Sequence, residues 1–481
     1  MPAYPGLIGP AYRGASYMAG REELINLYIE KNETPNAPNP YVMLPTPGYA
    51  TVVTVAEGPI RGTVTADGRD FFVAGFAFYE LNADDTATLR GTLAADTNPA
   101  TLCWNGPAGG QLFLTSGDVG YNYDLATNTL TTVLLSGATM GSFLDGFFLA
   151  LDAATGTLQI SDLLDGLVWD PTQIAQRTQG ADPWICMTVI HTEIWLIGSR
   201  TGEVWQNVGA FPFPFAPIQG AYFEQGIAAP FSAIRDVAPL LWVSENAQGG
   251  RMLLIANGYD GTRVSTHGVE NPLESYTAAQ IAAAQAMGFQ IGGHTFYQVN
   301  FSDASTWVFD VTEGAWGRWL HWDHATSTWQ TSRVMNHLYT GGRHLVGDTA
   351  TGTLYEMSST VFTDVSGSIM LRERMPARLA NAEQDRIYVS EIQLVCDVGV
   401  GLSGTGPNAD PMAMLQTSRD AGRTWTPERW SSLGPIGAYD TRVKWTRCGQ
   451  ARNRVDRFRF SAAVPFRVSA AVIRFDEESA A

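Results

Sequence analysis

Charge is scarce in this chain, and what there is leans one way. Only 16% of the 481 residues are charged, with 47 acids against 30 bases and a formal net charge of −17. Sparse charge beside 45% hydrophobic residues excludes disorder by composition. The acidic balance argues against a general nucleic-acid-binding surface. Cysteine is nearly absent: Cys103, Cys186, Cys396 and Cys448 lie far apart and form no CxxC pair. They read as reduced, half-buried thiols of a protein made in a cytoplasm. No uninterrupted apolar run reaches the roughly 18 residues of a spanning helix, so no membrane insertion is expected. The start, Met-Pro-Ala-Tyr-Pro-Gly, has no basic region followed by an apolar one, and Sec-type secretion is not expected.

Catalytic signatures are missing too. There is no GxSxG, no P-loop and no GxGxxG after a strand. Glycoside cleavage needs two facing carboxylates, and no spacing singles out a pair. Five of the seven histidines fall between His294 and His344, with His321-Trp-Asp-His324 the tightest group. A metal site needs three or more converging ligands at spacings such as HExxH, which do not occur, so these read as strand and loop histidines satisfied by hydrogen bonds. No catalytic residue, metal or cofactor is expected.

What the chain does have is turns and aromatic strands. Gly 49 and Pro 25 suit many short strands. The stretch from His294 to Trp319 shows the form: His-Thr-Phe-Tyr-Gln-Val-Asn-Phe, a Ser-Asp turn, Thr-Trp-Val-Phe-Asp-Val, a Glu-Gly turn and a third strand start at Trp316. Such a meander cannot bury its own face and needs neighbours like itself. Six more instances occur, at 71–81, 111–125, 146–161, 193–205, 240–256 and 343–356. In three of them the turn carries Gly156, Gly202 or Gly352, where an αL conformation suits glycine. Recurrent hairpins at roughly 35–55-residue spacing predict radial repetition, a β-propeller of six or seven blades, over a pair of stacked sandwiches.

The flanks read differently. Residues 1–50 are predicted as an extended N-terminal segment, Pro-rich at its end, with Glu22–Glu30 fitting either a short helix or a strand. Residues 51–362 form the propeller, interrupted by a helical insertion near 277–287 with Thr277 as its N-cap. Residues 363–481 make a C-terminal, sandwich-like β-domain, with strands predicted at Val361–Glu373, Arg386–Asp397, Met412–Thr417, Thr441–Arg447 and Arg457–Val468. The fold class is all-β. From Arg419 to Arg474 there are twelve Lys/Arg against four Asp/Glu, so the acid excess sits in the first 400 residues or so and the C-terminal part is basic. That is either ordinary variation on a solvated surface or a patch for an acidic partner.

Two short motifs stand out. Ser418-x-Asp420-x-Gly422-x-Thr424-Trp425 matches the Asp-box, a structural hairpin turn in which Asp420 takes backbone amides and Trp425 packs beneath. A single copy is turn chemistry, not catalysis. Phe211-Pro-Phe-Pro-Phe215 is an apolar loop, and Phe211, Phe213 and Phe215 make it a candidate contact site.

Three blocks resemble one family. They are Asn26-Leu27-Tyr28-x-Glu30 with Leu44-Pro45-Thr46-Pro47-Gly48; His294-x-Phe296-Tyr297, Thr306-Trp307-x-Phe309-Asp310 and Gly314-x-Trp316-x-x-Trp319; and the Asp-box run followed by Gly437-x-Tyr439 and Arg442-Val443-x-Trp445. The chain looks like the packaged-DNA stabilisation proteins, the tail hub or nozzle, of short-tailed phages. The resemblance implies a structural, non-enzymatic protomer of the virion tail, assembled in the host cytoplasm. It further implies a six-fold ring below the portal and its adaptor, a channel closed on the packaged DNA without sequence-specific contact, and a seat for a needle or fibres. The rival reading is a propeller-type carbohydrate-binding protein or glycoside hydrolase; a host scaffold propeller would lack its usual WD or kelch signatures here.

Overall fold

Alternating apolar and polar residues over short runs set up antiparallel strands throughout, and Gly-containing turns join them. The computed structural model describes residues 3–475 except 136, 178–179, 181, 236–238, 247 and 382–383. Among the described residues, seven small antiparallel sheets follow one another along the chain, one for each hairpin pattern in the sequence. Blade one contains Ile60–Ala66, Arg69–Ala74, Ala77–Leu81 and Ala87–Thr92, and blade two Thr101–Trp104, Gln111–Ser116, Val119–Asp124 and Thr129–Thr132. Blade three contains Met140–Leu144, Phe147–Asp152, Thr157–Ile160 and Ile174–Gln176, and blade four Trp184–Ile190, Glu193–Gly198, Gly202–Asn207 and Phe215–Phe223. Blade six contains Gln285–Ile291, His294–Phe301, Ser305–Asp310 and Ala315–Arg318.

Blade five pairs only three strands, Leu241–Glu245, Arg251–Asn257 and Asp260–Arg263. Its inner position is held by a 3-10 turn at Pro230–Ser232, where proline has no amide to give a ladder. Ser232 Oγ accepts from Val243 N (3.0 Å) and Tyr297 Oη donates to Ser232 O (2.9 Å), and these side-chain bonds supplement the few backbone ones, from Ala228 N to Val243 O and between Ile234 and Leu241. Blade seven takes Val334–Thr340, Arg343–Asp348 and Gly352–Ser358 from one end of the propeller and Gly48–Val55 from the other. First strands of successive blades lie side by side, and Val334–Thr340 returns to Ile60–Ala66. The ring is therefore closed by the pairing of Gly48–Val55 with Gly352–Ser358, and the sheet edges that remain are the short outer strands of the blades.

The turn glycines divide by cause. Gly156 has a φ of +65° and takes the αL conformation. Gly202 and Gly352 do not have positive φ. A Cβ on Gly202 would lie 2.1 Å from the Phe223 ring, and one on Gly352 would lie 1.8 Å from the Glu57 carbonyl oxygen. Close approach, not turn conformation, demands glycine there.

Two further sequence expectations are corrected. The helix predicted for 277–287 is one short turn, Ala278–Ala282, behind a capping box between Thr277 and Gln280. Gln285–Ile291 is instead the first strand of blade six, because pairing with His294–Phe301 outweighs the helix propensity of its Ala and Gln neighbours. A second helix, His267–Glu274, precedes it. The long strand predicted for Val361–Glu373 is a 3-10 turn at Val365–Gly367 followed by a short strand, Arg372–Met375.

A sandwich packs beside blade six. One sheet orders Arg21–Ile25, Arg372–Met375, Val455–Phe460, Met412–Ser418 and Arg429–Ser432; the other orders Leu27–Lys31, Tyr41–Pro45, Val468–Phe475, Ile387–Cys396 and Val443–Ala451. Thus strands from the first 50 residues lie inside both sandwich sheets. The first sheet continues into blade six, since Ile25 pairs in parallel with Arg318, and with the short strand Tyr12–Arg13, which pairs with Arg21–Ile25, the whole makes ten strands. A single apolar cluster joins Tyr4, Leu24 and Leu27 to Leu241 of blade five, Tyr297, Trp307 and Trp316 of blade six, and Phe458 and Phe460 of the sandwich.

Asn26 stands where these parts meet. It is 3% exposed and has a φ of +54°. Its Nδ2 donates to Leu320 O and Leu371 O, both at 2.8 Å, and its Oδ1 accepts from Leu320 N at 2.8 Å. Arg374, fully buried, donates to the carbonyls of Leu7 (2.5 Å), Gly6 (2.8 Å), Glu23 (3.1 Å) and Pro10 (3.3 Å). Burial pushes its pKa down to about 10, so it stays charged at neutral pH and holds the N-terminal loop as a cation among carbonyls.

Candidate functional site: an arginine- and tryptophan-lined seam

Strand alternation builds a strongly charged cleft. In Val455-Asp-Arg457-Phe-Arg459-Phe460 the phenylalanines enter the sandwich core and the arginines take the other face. Arg21, Glu23 and Ile25 alternate in the same way on their strand, and Arg318 ends the last strand of blade six. Register then sets a row across the sheet: Arg318 opposite Ile25, Ile25 opposite Glu373, Glu373 opposite Arg459. The row floors a cleft of about 520 Å³. Its walls are Arg13 and Tyr17 of the N-terminal segment, the hairpin of Leu320–Asp323 and Thr328–Thr331 with Trp322 and Trp329, and the Asp-box turn with Gly422 and Trp425.

Five arginines and two glutamates line this cleft. Glu23 takes Arg13 (3.0 Å) and Arg318 (3.1 Å); Glu373 takes Arg459 (2.6 Å) and, more loosely, Arg457 (4.0 Å). Cations also lie over the aromatic rings. Arg457 sits 4.1 Å from the centre of Trp425, Arg459 5.7 Å from Trp322, and Arg21 and Arg423 at 3.8 and 4.7 Å from Tyr17. Glu23 favours the charged form of Arg13, but burial together with Arg318 and Arg21 brings its pKa below the ordinary value. Burial lowers Arg457, with Glu373 opposing and Arg459 adding to the effect. The cleft is thus a focus of positive charge on an acidic chain.

The Asp-box residues form one wall of it. Asp420 Oδ1 accepts from the amides of Arg423 (3.0 Å) and Thr424 (2.9 Å) and from Ser418 Oγ (2.7 Å), and Oδ2 accepts from Thr424 Oγ1 (2.6 Å). Ser418 Oγ in turn accepts from Gly422 N (2.8 Å), whose φ is +94°. The Thr424 hydroxyl first, then the Ser418 hydroxyl and the Thr424 amide, hold Asp420 well below the usual carboxylate range. Trp425 turns its ring to Arg457. Residues Phe211, Phe213 and Phe215 lie elsewhere, at the outer end of blade four. Phe211 is 95% exposed, whereas Phe215 is buried against Phe147 and Phe213 stands between Trp205 and Phe215.

The histidines find separate partners. His294 Nδ1 meets Asp310 at 2.7 Å, His321 Nδ1 meets Asp364 at 2.9 Å, and His337 Nε2 meets His344 Nδ1 at 3.0 Å. Among the described residues no group of three or more His, Cys, Asp or Glu is placed to hold a metal. The four cysteines are free. The sequence reading missed the seam itself. Its signal was present in Arg457-Phe-Arg459-Phe and Arg21-Glu-Glu23-Leu, but only the register between distant strands brings those residues together.

A closed propeller sharing one sheet and one core with a sandwich defines an all-β protein of two fused units. The family model for the bacteriophage P22 Gp10 β-propeller matches residues 15–362, and the model for the Gp10 β-sandwich matches 373–476. The chain belongs to the bacteriophage P22 Gp10 family of phage stabilisation proteins, components of the phage virion. No curated protein matches it in sequence. Similar solved structures include the extracellular domain of a hybrid two component system from B. thetaiotaomicron, at 7% identity and a TM-score of 0.42. That match covers 72% of this chain, and the chain spans only 43% of that structure. A chain of a mitotic checkpoint complex matches at 12% identity and 0.36, covering 68% of this chain and 93% of its own. An exo-beta-1,3-galactanase from Phanerochaete chrysosporium with galactose matches at 6% and 0.30, covering 90% and 100%. Likenesses at this level say nothing about activity.

Proposed function

We propose that this chain is a non-enzymatic structural protein of the virion tail, a nozzle that assembles as a ring below the portal-adaptor. It closes the DNA channel after packaging and connects to a needle or fibres. The observation that carries this reading is the pair of family matches, which together take in the propeller and the sandwich. The charge distribution supports it. Residues 51–362 hold 11 Lys/Arg against 29 Asp/Glu, while Arg419–Arg474 hold twelve against four. A closed ring needs two unlike, complementary surfaces on each protomer, and an acidic propeller beside a basic sandwich supplies them. Acids facing a channel would also repel DNA phosphates and let the genome slide.

The deciding experiment is electron microscopy of virions labelled with an antibody against this chain. Label confined to the tail vertex is expected. Bare particles with free protein in the lysate would overturn the structural reading and turn attention to glycan binding and hydrolysis. Replacing channel-facing acids by lysine should slow genome ejection, and unchanged ejection would remove the sliding argument.

A further inference from the structure

We infer that the seam cleft is a docking site for an extended acidic segment of a partner protein, held by carboxylate–guanidinium pairs. This stands independently of where the chain sits in a virion. Three observations carry it.

The first is charge. The lining holds five arginines and two glutamates, and both glutamates are already shared between two arginines each. The surplus sits on a chain of net charge −17, where chance would place acids. Arg21 is the least compensated: its Nε is shut off from solvent and has no hydrogen-bond partner among the described residues. The buried Nε holds the Arg21 head in place, and its other N–H groups, which belong to a half-buried residue, are the ones a carboxylate would meet.

The second is the state of the aromatic rings. A saccharide would need an open indole face to stack on. Here Trp425, Trp322 and Tyr17 have guanidiniums over their rings, and Trp329 meets Trp322 edge-on at 4.9 Å. The guanidiniums close those ring faces to a sugar; Arg457 gives its Nε and one Nη to Gln416 and Arg459 its Nε to Glu373, so an anion would take the N–H groups that remain.

The third is shape. The cations are spread along a row across four strands, with Glu23 and Glu373 between them. One compact anion would reach only part of that row. The volume of about 520 Å³ falls in the ligand-cleft range of roughly 300–1,000 Å³, and the cleft is lined by the N-terminal segment, the sheet, the hairpin and the Asp-box turn. Carboxylates spaced along an extended peptide fit that spread. The row is rigid because it lies on paired strands, so little ordering is needed on this side.

The test uses the full chain and hexaglutamate as the probe, with titration calorimetry as the main readout and the change in total tryptophan fluorescence, to which Trp322, Trp329 and Trp425 contribute, as the other. Hexaglutamate should bind in 50 mM NaCl and weaken at least about tenfold in 500 mM, as screened ion pairs do. Arg21→Gln, which breaks no ion pair among the described residues, should weaken binding about tenfold, while Arg200→Gln on the exposed propeller should leave it unchanged. Arg457→Lys keeps the charge but loses the fork and should also weaken it. Absence of binding to the wild type, or equal binding by Arg21→Gln, overturns the proposal. Tighter binding of the oligonucleotide dT6 or of oligogalacturonate than of hexaglutamate overturns it in favour of a phosphate chain or an acidic saccharide.

Discussion

Replacing Asn26 by alanine should weaken the joint between the propeller and the sandwich. The side chain makes three hydrogen bonds, two to the carbonyls of Leu320 and Leu371 and one from the amide of Leu320, all at 2.8 Å. At 3% exposure no solvent replaces them. Leaving three backbone groups unpaired costs about 1 kcal/mol each, and a φ of +54° adds about 1 kcal/mol for alanine. The expected loss is about 4 kcal/mol. Asn26→Gly keeps the backbone unstrained and should lose about 3 kcal/mol, so the difference between the two isolates the conformational part. Urea unfolding followed by tryptophan fluorescence gives both values by linear extrapolation. Asn26 joins the exit of blade six to the entry of the sandwich, so the variants should also split one transition into two. A loss below about 1 kcal/mol, or an alanine variant no worse than the glycine one, would refute this account of the joint.

Other consequences follow from the same structure. Gly352→Ala puts a Cβ within 1.8 Å of the Glu57 carbonyl and should open the ring closure, losing at least about 3 kcal/mol and exposing the chain near Val55 to limited proteolysis. His337 is pushed down to about 4, by burial first and then by His344. The unfolded chain takes up that proton near pH 6.5, so its stabilisation is complete above about 6.5 and is lost as pH falls towards 4, on the order of 3 kcal/mol. His337→Phe should flatten that part of a pH–stability profile; an unchanged slope would assign the acid lability elsewhere. His294 runs the other way. Its pKa is raised, mainly by the hydrogen bond to Asp310, so its contribution is full below about pH 6.5 and fades as pH rises through the folded value. Asp310→Asn should remove that rise in stability on acidification. Asp420→Ala should abolish amide-exchange protection at Arg423 and Thr424 at neutral pH. In the native protein that protection is present above the usual carboxylate range and fades only as pH falls well below it.

Much of the propeller is determined by the sequence alone, because its strands are local. Each blade except the seventh, which borrows Gly48–Val55 from the other end of the propeller, is a meander whose alternating residues and turn glycines sit within 35 to 55 positions or so, and every hairpin pattern falls on one blade, His294–Trp319 on blade six. The Asp-box is as local: Ser418, Asp420, Gly422 and Thr424 close their own turn. What needed tertiary structure is everything that depends on residues far apart in the chain. Glu22–Glu30 admitted helix or strand until Arg372–Met375 gave it a partner. The alanines and glutamines after Thr277 favour helix, but Gln285–Ile291 is drawn into the sheet by its neighbour. Gly202 and Gly352 look like turn glycines, yet the approach of Phe223 and of Glu57 decides them. The seam is the clearest case. Arg21, Arg318, Glu373 and Arg459 come from four segments and share a face only through register between strands up to hundreds of residues apart. Period-two alternation tells which side of a strand a residue takes, but the sheet that strand joins is a matter of global packing.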